Sequence, residues 1–192
     1  MPAWVWIVIA LAVVVAAVAG WVAWKRTHSK HLRETFGPEY DRTVAESSSP
    51  REAEAALDDR RKRRAELEIR PLTPEACRHH DEAWSAVQAR FVDDPVGSVG
   101  DADGLVERVM AERGYPMEDF ESQAELVSVD HPEVVQNYRS AHEIYGAYGR
   151  GEASTEDLRG AMVHYRSLFK QLLESDGEEE RATESTPMEG VR

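Results

Sequence analysis

Residues 2–24 read PAWVWIVIALAVVVAAVAGWVAW, 23 residues without one Asp, Glu, Lys, Arg or His. No water-soluble fold of this size easily hides a helix that is apolar on every side. At about 1.5 Å per residue the run spans roughly 34 Å, enough for a hydrocarbon core of about 30 Å. Trp4 and Trp6 stand at one end and Trp21 and Trp24 at the other, where amphipathic indoles favour the two interfaces. The competing reading is a cleaved export signal with Ala17-Val18-Ala19 as its processing site. Against it stand the absence of a basic leader, the length of the apolar run and its tryptophan flanks. The expectation is a transmembrane anchor at residues 1–24, contacting the membrane through residues 2–24.

Flanking charge gives the direction. Lys25, Arg26, Lys30 and Arg33 follow the run closely, so the positive-inside bias places the C-terminal chain in the cytoplasm and the N-terminus outside. Within the run, Ala12, Ala16 and Gly20 form a small-residue ladder on one face, on which two helices can approach closely as a weak homodimer.

The charge of the chain is uneven. Residues 25–70 hold 12 basic and 10 acidic residues, and residues 71–192 hold 11 basic and 26 acidic, within a total net charge of −13. So acidic a distal part repels phosphates, which argues against nucleic acid as a partner. The single cysteine, Cys77, excludes an internal disulfide and a multi-cysteine zinc site.

Beyond the anchor the pattern is helical throughout, and the class expected is all-α. Residues 25–70 form a membrane-proximal helix and a charged linker. The first helix stops at Phe36-Gly37-Pro38, a short linker follows, and the capping box Ser49-Pro50-Arg51-Glu52 opens a polar helix to about Ile69. That helix carries Arg60, Arg61, Lys62, Arg63 and Arg64. Its i, i+4 partners Asp58/Lys62, Asp59/Arg63, Lys62/Glu66 and Arg64/Glu68 predict a solvated helix laced with ion pairs rather than a lipid-binding patch.

Residues 71–174 form a small helical-bundle domain. Thr73-Pro74 starts a helix whose stripe is Cys77, His80, Trp84, Val87 and Phe91. Asp94-Pro95 starts another, with Leu105, Val106, Val109 and Met110 inward and Gly114-Tyr115-Pro116 at its end. A short helix over residues 117–127 turns Phe120, Ala124 and Val127 inward. After His131-Pro132 come Val134, Val135, Tyr138, Ala141, His142, Tyr145 and Tyr148 on one side. Ser154 and Asp157 cap the last helix, whose face is Leu158, Ala161, Met162, Tyr165, Leu168, Phe169, Leu172 and Leu173. Residues 175–192, acidic and almost without apolar residues, are expected to be a disordered tail.

Several groupings were weighed for chemistry. His79 and Glu82, at i, i+3, can share a metal, with a third ligand needed from His131, His142 or His164. No spacing supports that third ligand. Cys77 and His80 have the spacing of a thiolate–imidazole pair, yet both lie on the apolar stripe, where a buried thiol is inert. Gly97, Gly100 and Gly104 do not make a phosphate loop, and Asp101-Ala102-Asp103-Gly104 lacks the later ligands of a calcium loop. The tyrosines Tyr138, Tyr145, Tyr148 and Tyr165 read as core. No catalytic, cofactor-binding or metal-binding residue is assigned.

Residues 67–173, through AWSAVQARFVDDP (83–95), ADGLVERVMAERGYP (102–116), VDHPEVVQNYR (129–139) and STEDLRGAMVHYRSLFKQLL (154–173), resemble a family of single-pass membrane proteins of high-GC Gram-positive bacteria with no known activity. The resemblance implies an N-terminal anchor and a helical domain, and no residue role. The expected function is that of a membrane-tethered helical module for an unidentified protein partner. A membrane-proximal enzyme and an envelope-facing structural protein are the alternatives.

Overall fold

The computed structural model describes the backbone of residues 3–184 and the side chains of Trp4, residues 11–21, Ala23 and residues 25–174. The described chain is all-α. It comprises α1 (Ala3–Phe36), α2 (Pro38–Glu46), α3 (Pro50–Ala65), α4 (Pro74–Arg90), α5 (Pro95–Arg113), α6 (Phe120–Asp130), α7 (Val135–Gly149) and α8 (Thr155–Glu184). It separates into two compact units, Met1–Asp58 and Asp59–Arg192, with the boundary inside α3.

In the first unit α1 carries the uncharged run and continues to Phe36, the expected stop. Gly37, at φ 48°, turns the chain, and Pro38 opens α2 at its first position. Residues 38–46, expected as part of a linker, are therefore a helix. Its spacing is amphipathic on a small scale: Tyr40 and Thr43 are buried, as are Leu32 and Phe36 of α1 and Ala53 and Leu57 of α3. Polar contacts hold the pieces together. Glu54, itself buried, accepts hydrogen bonds from Ser29 (2.5 Å) and from the Tyr40 hydroxyl (3.1 Å), and His28 pairs with Asp58 at 2.8 Å.

Among the described residues no helix is long and apolar enough to cross a membrane. The expected span at residues 2–24 coincides with α1, but residues 5–10, 22 and 24 fall outside the described side chains, and the continuous described apolar stretch is residues 11–21.

The second unit is built around α5, which packs against α4, α7 and α8, while α7 and α8 pair along their lengths and α6 leans on α7. Local chemistry starts each helix where the sequence indicates. The Thr73 hydroxyl accepts from Ala76 N (3.1 Å), the Asp94 carboxylate from Gly97 N (2.9 Å), and Ser154 and Asp157 exchange bonds across the first turn of α8. Val99, Ala102, Leu105, Val106, Val109 and Met110 of α5 are buried, together with Tyr138, Ala141, Leu158, Ala161, Tyr165, Leu168, Phe169 and Leu172. The Trp84 ring stacks on Phe169 with centroids 4.8 Å apart. Gly114 ends α5 at φ 100°, and a Cβ there would stand 2.7 Å from the Glu68 carbonyl oxygen, so only glycine lets residues 66–70 pass so close.

Two expectations are corrected. The basic run of α3 is not balanced within its own helix alone. Asp59 and Arg63 do pair at 3.2 Å, but Arg60 and Arg63 donate to Glu125 of α6 at 3.1 and 2.6 Å. Arg64 pairs with Asp130, which also accepts from the Tyr115 hydroxyl at 2.5 Å, and Asp58 goes to His28. Tertiary partners join the i, i+4 partners, and Arg60 is 8% exposed, where charge-assisted bonds are strong. The second correction concerns the tail: α8 runs to Glu184, so residues 175–184 are helical. Glu, Arg and Ala are good helix formers, and extending an existing helix avoids the cost of nucleation. Residues 185–192 lie outside the described residues.

Glu125 is the common acceptor for two arginines. In a fragment of residues 49–184, Glu125→Ala should lower stability by about 1–3 kcal/mol, measured by urea denaturation. A loss below about 0.5 kcal/mol would show the arginines to be surface charges with no structural part.

Candidate functional site

The residues with metal-ligand or nucleophile chemistry are spread over several helices. The His80 ring is buried and meets Glu112 at 2.8 Å through Nε2. Cys77 is half-buried on the stripe of α4. His79 and Glu82 are exposed, His142 stacks on Phe120 at 3.7 Å, and His164 Nδ1 meets Asn137 Oδ1 at 3.1 Å. The third ligand for His79 and Glu82 is therefore not brought to them. Among the described residues no group of three or more His, Cys, Asp or Glu is placed to hold a metal.

The structure instead gathers a polar cluster that the sequence reading did not identify. Asp103 and Glu107 of α5 face His142 and Tyr138 of α7 and Tyr165 of α8. Tyr138 and Tyr165 are fully buried, with rings 6.2 Å apart edge to face, and the Tyr138 hydroxyl donates to Gln123 at 3.3 Å. Asp103 Oδ1, the Tyr165 hydroxyl and His142 Nδ1 are buried without a hydrogen bond of good geometry, although Asp103 and Tyr165 face each other.

Burial pushes the Asp103 carboxyl above the ordinary carboxylate range, while the Tyr165 hydroxyl and His142 pull it back. Glu107 is raised by burial and then by Asp103, and burial lifts both tyrosines well above the usual phenol range. A signal for Asp103 existed: it stands at +4 from Val99 and −3 from Val106, on the inward face of α5. The cluster can hold a proton in the bundle interior. Within it Tyr138 and Tyr165 are buried, whereas Asp103, Glu107 and His142 are partly exposed.

Other surface features lie apart from this cluster. A groove of about 170 Å³ between α4 and α8 is lined by Gln88, Phe91, Arg159, Met162, Val163 and Arg166, with Val163 64% exposed. A larger cavity, about 450 Å³, lies in the first unit against Lys25, Arg26, Ser29, Lys30, Arg33 and Tyr40. Ala12, Ala16 and Gly20 are exposed along α1, with nothing within 4 Å of a Cβ placed on Gly20.

Compared with known proteins, the chain matches no family profile, no curated protein and no solved structure.

A raised carboxyl pKa means that the folded state binds its proton more tightly than the unfolded chain. Asp103 therefore stabilises fully below its unfolded pKa, and that contribution is lost as pH rises through the folded value. Asp103→Asn should flatten the fall in stability between about pH 4 and pH 7 and leave the fragment no less stable at neutral pH. Paired urea titrations at the two pH values check this; an unchanged slope would mean that the carboxyl is solvated.

Proposed function

We propose that this protein is a membrane-tethered helical module: α1 anchors it, and the Asp59–Arg192 unit works as an interaction domain at the cytoplasmic face. One observation carries the reading. Trp4, Leu11, Val13, Val14, Val15, Val18 and Trp21 of α1 are 54–64% exposed, an apolar surface on a helix with no charge before Lys25. Apolar area of that extent is covered in a working protein, and a bilayer covers a single helix on all sides. The tryptophans near both ends and the cations after Trp24 support the span and its direction. The resemblance over residues 67–173 implies the same build.

The interaction reading rests on the second unit. Its helices bury a shared apolar core, and the α4–α8 groove presents Val163 and Met162 between Arg159 and Arg166. A tether raises the local concentration of such a surface for partners in the same membrane, so a small contact suffices.

Alkaline extraction and protease protection test the proposal together. The full chain should stay in the membrane pellet. The helical unit should be digested in inverted vesicles and protected in intact cells. Release by alkali would remove the anchor, and digestion in intact cells would put the unit outside.

A further inference from the structure

We propose that Lys25, Arg26, Lys30 and Arg33, with Tyr40 as a wall, form a binding site for the phosphate of an anionic phospholipid headgroup. The proposal rests on the anchor reading and deepens it. Residues 25, 26, 29, 30 and 33 fall within one side of α1, since each step turns the helix by about 100°. The Gly37 turn then brings α2 back so that Tyr40 lies under Arg33, whose guanidinium sits 4.9 Å from the ring centroid. The result is the concave space of about 450 Å³ described above, rather than a flat charged stripe.

Its charge is available. Residues 25–33 contain four cations and no acid. Lys25 and Arg26 are exposed, and among the described residues the ion pairs of this stretch involve His28, Lys30 and Arg33. Lys30 meets Glu34 at 3.5 Å and Arg33 meets Asp41 at 3.3 Å, but all four side chains are more than half exposed. Such pairs are weak and give way to a phosphate. The contrast with α3 is informative: there Arg60, Arg63 and Arg64 are engaged by Glu125 and Asp130.

Position selects the ligand. Lys25 and Arg26 directly follow Trp24, the last uncharged residue, at the edge of the hydrocarbon, where lipid phosphates lie. Lys30 stands roughly 8 Å and Arg33 roughly 12 Å further along the helix, with side chains long enough to reach back toward the headgroups. Free phosphate offers the same chemistry but has no reason to sit at that depth.

Full-length protein in zwitterionic micelles, observed by native mass spectrometry, provides the test with three probes: phosphatidylglycerol, phosphatidylcholine and inorganic phosphate. Phosphatidylglycerol adducts should dominate. Lys25→Gln with Arg26→Gln should weaken them by roughly 10- to 30-fold, about fivefold for each charge. Lys25→Arg with Arg26→Lys should keep them, and Arg61→Gln with Lys62→Gln in α3 should change nothing. Equal binding of the two lipids, or indifference to the Gln substitutions, would overturn the site. Retention of phosphate without phosphatidylglycerol would overturn the lipid assignment. Flotation with vesicles of phosphatidylcholine alone separates the anchor: wild type and the Gln double variant should both float. A wild-type chain that stays at the bottom would defeat the anchor reading, and with it a lipid ligand.

Discussion

Apolar surface standing open on the described part of α1 is the constraint on which the proposed layout of this protein depends. Before Lys25 the helix α1 has no polar face to turn toward water, and its described side chains from Leu11 to Trp21 stand open. Beyond Trp21, among the described residues, the large apolar side chains left exposed are Val92, Met117 and Val163. Under the proposed anchor, the chain is divided by solvent. On that proposal one stretch meets hydrocarbon, and the remainder folds by burying its own stripes against one another.

Charge is distributed in keeping with that division. Close behind the uncharged run come four cations without an acid, whereas the second basic cluster, in α3, is taken up by carboxylates of α6. The two clusters look alike in composition and differ in physical state. Paired and partly buried arginines contribute to folding of the Asp59–Arg192 unit, while exposed ones such as Arg26 remain free to meet an external anion.

Much of the fold was legible because helix starts and inward faces are local properties. Thr73, Asp94 and Ser154 cap helices where their side chains and spacing indicated, and the face from Leu158 to Leu172 is buried as its period implied. What escaped was either short or long-range. The nine residues of α2 give too few turns for a period to show, and Tyr40 and Thr43 count only once Glu54 is known to lie opposite. Arg60 and Glu125 are 65 residues apart, so the i, i+4 rule had no access to the competing partner. Asp103 stands in a segment that begins like a calcium loop, while its register with Val99 and Val106 points it inward. The helical continuation to Glu184 runs against composition, since an acidic segment with little to bury reads as disorder until it is attached to an established helix.

The account turns on whether α1 occupies lipid. Amide hydrogen exchange on the full chain in bilayer nanodiscs measures this residue by residue, because backbone amides inside hydrocarbon have neither water nor catalyst within reach. The prediction is that amides of residues 5–22 remain unexchanged for hours, while those of residues 25–31 exchange on the timescale of a solvent-exposed helix. Rapid exchange across both stretches, with no step near Trp24, would contradict the anchor.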